Sequence, residues 1–151
     1  NETLLRDSRG NFIEGSRSNI FAVLDGKLIT PELTRSGVAG VVRDALLTSS
    51  RQAGINCSIA TLSLEKVSSA SELFVCNSII GIQPIHTLYL QSDAYSDVIV
   101  EENASDSMSV VTQQTDQLTF TDRSVTAHCQ ALIAQVLNGQ VLNGEQGENS
   151  C

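Results

Sequence analysis

A single carboxylate interrupts an apolar, strand-forming stretch near the start of the chain, in the run Ile13-Glu14-Gly15-Ser16-Arg17-Ser18-Asn19-Ile20-Phe21. Apolar β-formers lie on both sides of Glu14, and small and hydroxyl residues follow it. This pattern places the side chain at the end of a strand, in an enclosed and partly apolar space. A carboxylate there is costly unless it has a cationic or proton-bearing partner. The stretch therefore predicts a strand that delivers Glu14 into a site.

Strand and helix patterns alternate along the chain, which predicts an α/β domain with a mixed sheet packed with helices. The dipeptide Asp25-Gly26 predicts a tight hairpin turn between two apolar strands. A helical stripe starts at Val38, and a last helix starts at Asp122 with its apolar residues on one face. The predicted strands are 3–6, 12–14, 19–24, 27–30, 56–62 and 72–76, with extended segments in 81–90, 98–100 and 108–111, and the predicted helices are 38–54, 64–70 and 122–137.

The net charge of −8 is unevenly placed. Residues 1–91 hold eight acidic and eight basic side chains, whereas residues 92–151 hold nine acidic side chains against Arg123 alone. No basic patch exists for nucleic acid or an anionic membrane, and no apolar run approaches the ~20 residues of a membrane span. We interpret residues 1–137 as one domain carrying an acidic insertion at about 91–119, and 138–151 as a disordered tail.

Cysteines and histidines form no metal-binding pattern, since none of the four cysteines shares a C-x-x-C spacing and neither histidine falls at a ligand spacing. We therefore predict no metal site. Thiols without such a framework are typical of a reducing compartment, which favours a cytoplasmic protein with reduced cysteines. The residues concerned are Cys57, Cys76, Cys129, Cys151, His86 and His128.

Two later segments carry the groups that a phosphorylated, nitrogen-bearing cofactor needs. The run from Gly37 to Arg43 is glycine-rich and opens a helix, where free backbone N–H groups and the macrodipole favour a phosphate. The run from Cys76 to Gly81 is a strand that breaks into a small, polar turn. Each feature alone has an ordinary interpretation: an edge charge, helix packing, a turn. Together with a carboxylate that holds a proton on a pyridine nitrogen, they match pyridoxal phosphate.

The three motifs follow one another along the chain as they do in the fold-type IV pyridoxal-phosphate enzymes, and the chain resembles that family. The family includes branched-chain aminotransferases, D-amino-acid aminotransferases and aminodeoxychorismate lyases. The resemblance runs over residues 3–85, and more loosely over the final helix at 120–137. It implies pyridoxal phosphate as the cofactor, a small-molecule substrate and a homodimeric complete protein. The cofactor-binding residues that it implies are Glu14 at the pyridine nitrogen, with the N–H groups of Val41 and Val42, the hydroxyl of Ser78 and the N–H of Ile79 at the phosphate.

Within this family the chain most resembles aminodeoxychorismate lyases, through the runs 14–21, 35–40 and 75–85. This implies conversion of 4-amino-4-deoxychorismate to 4-aminobenzoate and pyruvate in folate biosynthesis. Arg17 and Asn77 are then the expected substrate-side residues, although Asn77 equally suits the turn backbone. The alternatives are a D-amino-acid or branched-chain aminotransferase, or a catalytically inactive binding or assembly module.

One departure from the family bears on activity. The family's Schiff-base lysine lies far upstream of the strand glutamate, but only 13 residues precede Glu14 in this chain. Lys27 follows the hairpin turn and Lys66 lies in a short predicted helix, so neither matches. The family's small N-terminal domain has no counterpart either. We therefore expect this chain to be the C-terminal domain of a longer protein and to be inactive alone.

Overall fold

The computed structural model describes residues 2–90, 98–101 and 116–138 of the chain. Within them the backbone forms ten strands and three helices. In chain order these are β1 (Glu2–Arg6), β2 (Phe12–Gly15), β3 (Asn19–Leu24), β4 (Lys27–Thr30), α1 (Val41–Gln52), β5 (Cys57–Ile59), α2 (Leu64–Ser68), β6 (Glu72–Asn77), β7 (Gly81–Pro84), β8 (Thr87–Leu90), β9 (Val98–Glu101), β10 (Asp116–Thr119) and α3 (Ser124–Leu137).

The strands form one mixed sheet in the order β10-β8-β9-β1-β2-β3-β4-β5, with β6 paired to β3 and β7 paired to β6. Among these described strands, β4 and β5 are parallel and joined through α1, and every other pairing is antiparallel. The hairpin between β3 and β4 turns at Asp25 and Gly26, both with positive φ (49° and 71°). Those angles suit the right-handed twist of a two-residue hairpin. The predicted hairpin and the predicted mixed α/β sheet are confirmed.

Strands β3 and β6 are buried on both faces, and their side chains alternate between two apolar clusters. On one face, Phe21 stacks on Phe74 with ring centroids 5.1 Å apart, next to residues of α1 and α3. On the other face, Ile20 and Val75 join the cluster that contains Val67 of α2. Helices α1 and α3 therefore pack against each other and cover the same side of the sheet.

Glu72 ties the first residue of β6 to the first turn of α3. Its side chain is buried, and Oε1 accepts hydrogen bonds from the N–H of Val125 (2.8 Å) and the hydroxyl of Ser124 (3.3 Å). Oε2 accepts from the N–H and the hydroxyl of Thr126, at 2.7 and 2.6 Å. A carboxylate at a helix N-terminus satisfies donors that the helix leaves unpaired and complements its dipole. Glu72 thus fixes the position of α3 on the sheet.

Several predicted boundaries are wrong. Helix α1 begins at Val41 rather than Val38, because Gly40 is the extended N-cap residue and residues 37–40 form a loop. The strand predicted at 56–62 is reduced to Cys57–Ile59, and Leu62 makes only an isolated bridge to Phe12.

Other differences lie at the ends of predicted elements and in the acidic stretch. The last helix begins at Ser124 rather than Asp122, and α2 ends at Ser68. Strand β10 was not predicted, since its sequence is mostly polar and all but one of its residues are exposed. Strand β9 contains the extended segment predicted at 98–100. The segment predicted at 108–111 and the tail at 139–151 lie outside the described residues.

Two absences apply to the described residues. None of their helices combines the length and the apolar character needed to cross a membrane. Their histidines, cysteines and carboxylates also form no cluster that would hold a metal ion.

Candidate active site

Four segments meet around a cleft of about 310 Å³: the end of β2, the start of β3, the loop into α1 and the turn after β6. This volume is in the usual range of small-molecule pockets. Six of the seven residues predicted from the sequence line the cleft, and they come from positions far apart in the chain. They are Glu14, Arg17, Val41, Val42, Asn77 and Ser78.

Glu14 is half-buried near the end of β2, opposite Asn19 of β3. Its Oε2 accepts a hydrogen bond of 2.8 Å from the N–H of Val38. Gly37 lets the chain pass this close, since a Cβ there would lie 3.2 Å from Glu14 Oε2 and 2.8 Å from Leu33 Cδ2. Its φ of +93° also disfavours any other residue. The carboxylate is therefore held by a backbone donor and faces the cleft.

Asn19 holds the loop that leads into α1. The side chain is buried; its Oδ1 accepts from the N–H of Gly40 (3.0 Å) and its Nδ2 donates to the carbonyl of Val38 (2.6 Å). A Cβ on residue 40 would lie 2.5 Å from Asn19 Oδ1, so glycine is required there by close approach. Asn19 was not predicted as a site residue. The one signal in the sequence is a polar amide that begins an otherwise apolar strand.

The first turn of α1 presents unpaired backbone donors to the cleft. Gly40 is the N-cap, and no side chain caps the helix. The first N–H groups of a helix have no acceptor within the helix, which makes them available to an anion. Val42 buries its side chain in the core, whereas Val41 is exposed. Both residues line the cleft, and the binding of a phosphate by their N–H groups stays a prediction.

Arg43 does not line this cleft. The side chain is buried; Nη2 donates to the carbonyl of Pro31 (3.0 Å) and Nε donates to the hydroxyl of Thr30 (3.3 Å). Nη1 forms an ion pair with Asp44 at 3.2 Å. These contacts bind the first turn of α1 to the end of β4, so Arg43 positions the helix start.

The turn after β6 differs from the prediction at Ile79. Asn77 Oδ1 accepts from the N–H groups of Ile79 and Ile80, each at 2.8 Å. This is the local bond that asparagine favours in turns. Ile79 is 91% exposed and is not among the residues that line the cleft. Its N–H is thus bonded to Asn77, and Ser78 is the residue of this turn that faces the cleft.

Arg17 lies on a loop that two other segments hold in place. Its N–H donates to Glu2 Oε1 (3.0 Å), and its carbonyl accepts from Asn77 Nδ2 (3.1 Å). The hydroxyl of Ser18 donates to the same Glu2 oxygen at 2.7 Å. Gly15 is needed beside this carboxylate, because a Cβ there would collide with Glu2 and Ser18. The two predicted substrate-side residues, Arg17 and Asn77, are therefore neighbours at one edge of the cleft.

Lysine is missing from the cleft. The chain has two lysines, and neither Lys27, exposed at the start of β4, nor Lys66 lines it. Lys66 Nζ instead donates to the carbonyl of Thr61 at 2.7 Å. Within the described ranges the site thus combines a carboxylate, anion-binding donors, a hydroxyl and an arginine, without an amine nucleophile.

The family model for amino-transferase class IV matches residues 1–88, more than half of the chain. The chain belongs to the class IV aminotransferase family. This confirms the predicted family, whose members are pyridoxal-phosphate enzymes of fold type IV.

The relatives of this class IV chain include two kinds of enzyme, a lyase and an aminotransferase. The 4-amino-4-deoxychorismate lyase from Pseudomonas aeruginosa is 41% identical, with a TM-score of 0.55 over 56% of this chain and 32% of that one. The branched-chain-amino-acid aminotransferase of Salmonella typhimurium is 33% identical over 87 residues, which are 58% of this chain and 28% of the relative. The chain spans 28% of the length of the first curated relatives it matches.

A solved structure of low sequence identity also resembles this chain in fold. The T.th. branched-chain amino acid aminotransferase, solved with N-(5'-phosphopyridoxyl)-L-glutamate, has a TM-score of 0.66 over 96% of this chain and 40% of that chain. At 17% identity this likeness concerns the fold alone. The predicted fold is thereby confirmed.

The residues of this class IV cleft fit a phosphorylated pyridine. The uncapped start of α1 and the hydroxyl of Ser78 suit a phosphate, and the half-buried carboxylate of Glu14 suits a protonated ring nitrogen. Close packing at Gly37 and Gly40 keeps the carboxylate and the helix start on the same cleft.

The thiol of Cys76, which also lines the cleft, is not suited to act as a nucleophile. Burial raises its pKa to about 12. Burial likewise raises the pKa of Cys129, on α3, to about 11. Both thiols stay protonated at neutral pH, and a protonated thiol is a poor nucleophile.

The bridge between Asn19 and the helix start predicts a coupled stability effect. Asn19→Ala removes the partners of the Gly40 N–H and the Val38 carbonyl, so we expect the free energy of unfolding to fall by about 2 kcal/mol. Gly40→Ala is expected to destabilise by collision with Asn19. In the double variant that collision is absent, so its loss should be smaller than the sum of the two single losses.

Urea unfolding of the four proteins measures this coupling. Asn11→Ala is the matched control, because Asn11 Nδ2 makes one bond of 3.1 Å, to Asp7 in the turn between β1 and β2. Strictly additive losses for the Asn19 and Gly40 substitutions would contradict the role of this bridge.

Proposed function

We propose that this chain is the cofactor-binding C-terminal domain of a pyridoxal-phosphate-dependent aminodeoxychorismate lyase. The observation that supports it is the meeting of Glu14, the start of α1 and Ser78 in one cleft, with Arg17 and Asn77 at its edge. The lyase assignment is further supported by the runs 14–21, 35–40 and 75–85. The proposed reaction converts 4-amino-4-deoxychorismate to 4-aminobenzoate and pyruvate, in folate biosynthesis.

The proposed roles follow from the chemistry of each group. Pyridoxal phosphate, when bound, supplies a protonated pyridine ring that withdraws electrons from the reacting part of the substrate. Glu14 holds the proton on the ring nitrogen by charge pairing. The N–H groups of Val41 and Val42 and the hydroxyl of Ser78 bind the phosphate. Ile79 keeps its proposed phosphate contact only if its N–H leaves Asn77.

Arg17 and Asn77 suit a substrate that carries two carboxylates. A guanidinium binds a carboxylate through a pair of parallel hydrogen bonds, and an amide adds a donor beside it. A branched-chain amino acid favours an apolar lining instead. This polar edge supports the lyase over the aminotransferase, which remains the second candidate because a relative of that activity is 33% identical.

Activity requires more polypeptide than this chain. A lysine is needed to carry the cofactor and to move the substrate proton, and the described cleft contains none. We therefore propose that the isolated chain is inactive. We propose that the complete protein supplies the lysine from its N-terminal part, and that it is a cytoplasmic homodimer.

Product analysis of the complete protein tests the proposal. We expect 4-aminobenzoate and pyruvate from 4-amino-4-deoxychorismate, with slow or no conversion of the bound cofactor to its amine form by leucine or D-alanine. Absorbance of the cofactor and chromatography of the products measure the two outcomes in parallel. Fast amine formation with either amino acid and no 4-aminobenzoate would establish the aminotransferase. Neither reaction in a correctly folded, cofactor-loaded protein would favour the inactive binding or assembly module.

A further inference from the structure

A second and larger cleft lies between the turn joining β1 to β2 and the loop that leaves β4. Its volume is about 610 Å³, and it shares no lining residue with the cofactor cleft. Three arginines line it: Arg6 at the end of β1, Arg9 in the turn and Arg35 in the loop. We call it the arginine cleft. Arg35 falls in the run 35–40 on which the lyase resemblance rests, but the proposed reaction assigns no role to the side chains of these three arginines.

Arg6 is arranged as an anion-binding group. Its guanidinium carbon lies over the Phe12 ring, 4.8 Å from the ring centre, in a cation–π arrangement. Its Nε is buried and has no hydrogen-bond partner among the described residues. A buried donor without an acceptor is unfavourable. A guanidinium has five N–H donors, and an oxyanion that enters the cleft would supply acceptors for them.

The acidic residues of the cleft do not pair with these arginines. Asp7 accepts from the N–H groups of Arg9 (2.9 Å) and Asn11 (2.8 Å) and from the side chain of Asn11 (3.1 Å). These bonds, the Asn11 side chain first, lower the pKa of Asp7 below its ordinary value. Glu32 is exposed. Within the described ranges, the guanidiniums of Arg6, Arg9 and Arg35 form no ion pair.

We propose that the arginine cleft binds a small anion that carries at least two carboxylate or phosphate groups. Arg6 binds one group from the floor of the cleft, and Arg35 binds another from the facing loop. The volume admits a molecule larger than a single phosphate ion, within the range of small-molecule sites. This site does not depend on the proposed lyase activity, because it uses none of the cofactor-binding residues.

Arginine side-chain NMR on the 151-residue chain tests the proposal. The probes are inorganic phosphate, succinate and citrate, added separately. We expect the Nε–H resonances of Arg6 and Arg35 to shift to saturation with a dissociation constant of about 1 mM or tighter for at least one probe. Tighter binding of citrate than of phosphate would identify a carboxylate ligand, and the reverse order a phosphate ligand. Arg51, exposed in the last turn of α1, should not shift.

Matched variants separate specific binding from general charge attraction. Arg6→Lys keeps the charge but loses the planar fork, and Arg35→Gln removes a charge at an exposed position. Each should weaken binding by roughly 10-fold, whereas Arg51→Gln should not. No saturable shift with any probe, equal shifts at Arg51, or unchanged binding in Arg35→Gln would overturn the proposal. If Arg6→Lys does not fold, Arg35→Gln still decides the result, because Arg35 makes no hydrogen bond in the described structure.

Discussion

Glu14→Gln in the complete enzyme is expected to lower turnover by ~10²–10³ while the protein still folds and binds its cofactor. Glutamine preserves the shape of the side chain and an oxygen that accepts from Val38. It lacks the negative charge that we propose holds a proton on the pyridine nitrogen. Since this charge acts mainly on the transition state, the loss should fall on kcat rather than on cofactor affinity.

Steady-state kinetics and the absorbance of the bound cofactor measure these two effects separately. Glu65→Gln is a suitable control, because Glu65 is an exposed carboxylate in the first turn of α2, outside the cleft. A near-normal rate in Glu14→Gln with normal cofactor binding would mean that Glu14 is an ordinary strand residue. Loss of cofactor from Glu14→Gln would instead assign it to binding.

Glu72→Ala is expected to lower the free energy of unfolding by about 3 kcal/mol or more. The substitution removes four hydrogen bonds to a buried carboxylate and leaves the N–H groups of Val125 and Thr126 without acceptors. Because α3 packs against α1, the loss should also loosen the helix whose first turn lines the cofactor cleft.

Urea unfolding followed by circular dichroism tests the Glu72 prediction, with an unchanged m value as the sign of a pure stability effect. Asp122→Ala is the matched control. Asp122 also bonds to the start of α3, where it accepts from Ser124 N–H at 3.1 Å, but its side chain is exposed. Asp122→Ala should lower the free energy of unfolding much less than Glu72→Ala does. The loss in Glu72→Gln should lie between these two losses. Equal losses for Glu72→Ala and Asp122→Ala would contradict the importance of the buried cap.

Local chemistry explains which parts of the fold were predictable. The hairpin at Asp25-Gly26 and the apolar strands β3 and β6 follow from turn chemistry and burial, which short windows of sequence contain. The start of α1 was misplaced because the loop before it is shaped by Glu14 and Asn19, residues far away in the chain. Strand β10 was missed because its own residues are mostly polar and exposed, and because it forms through a long-range pairing with β8.

In the candidate site, too, the residues in local motifs were predictable and the long-range supporting contacts were not. Glu14, Val41, Val42 and Ser78 carry functional groups in recognisable motifs, and the structure brings them to one cleft. The supporting contacts were not predictable, because Asn19 and Glu72 act through bonds to backbone groups that only the fold brings near. Ile79 failed to reach the cleft for a local reason: the nearby Asn77 side chain captures its N–H.

The position of β1 in the sheet has a consequence for synthesis. Thr3 pairs with Ile99, so β1 leaves the ribosome long before its neighbour β9. At translation rates of ~5–20 residues per second, that edge of β1 stays open for roughly 5–20 s. Open strand edges are templates for pairing with other chains. During this interval β2 covers only the opposite edge of β1, so the edge that later pairs with β9 is a target for a chaperone that binds strand edges.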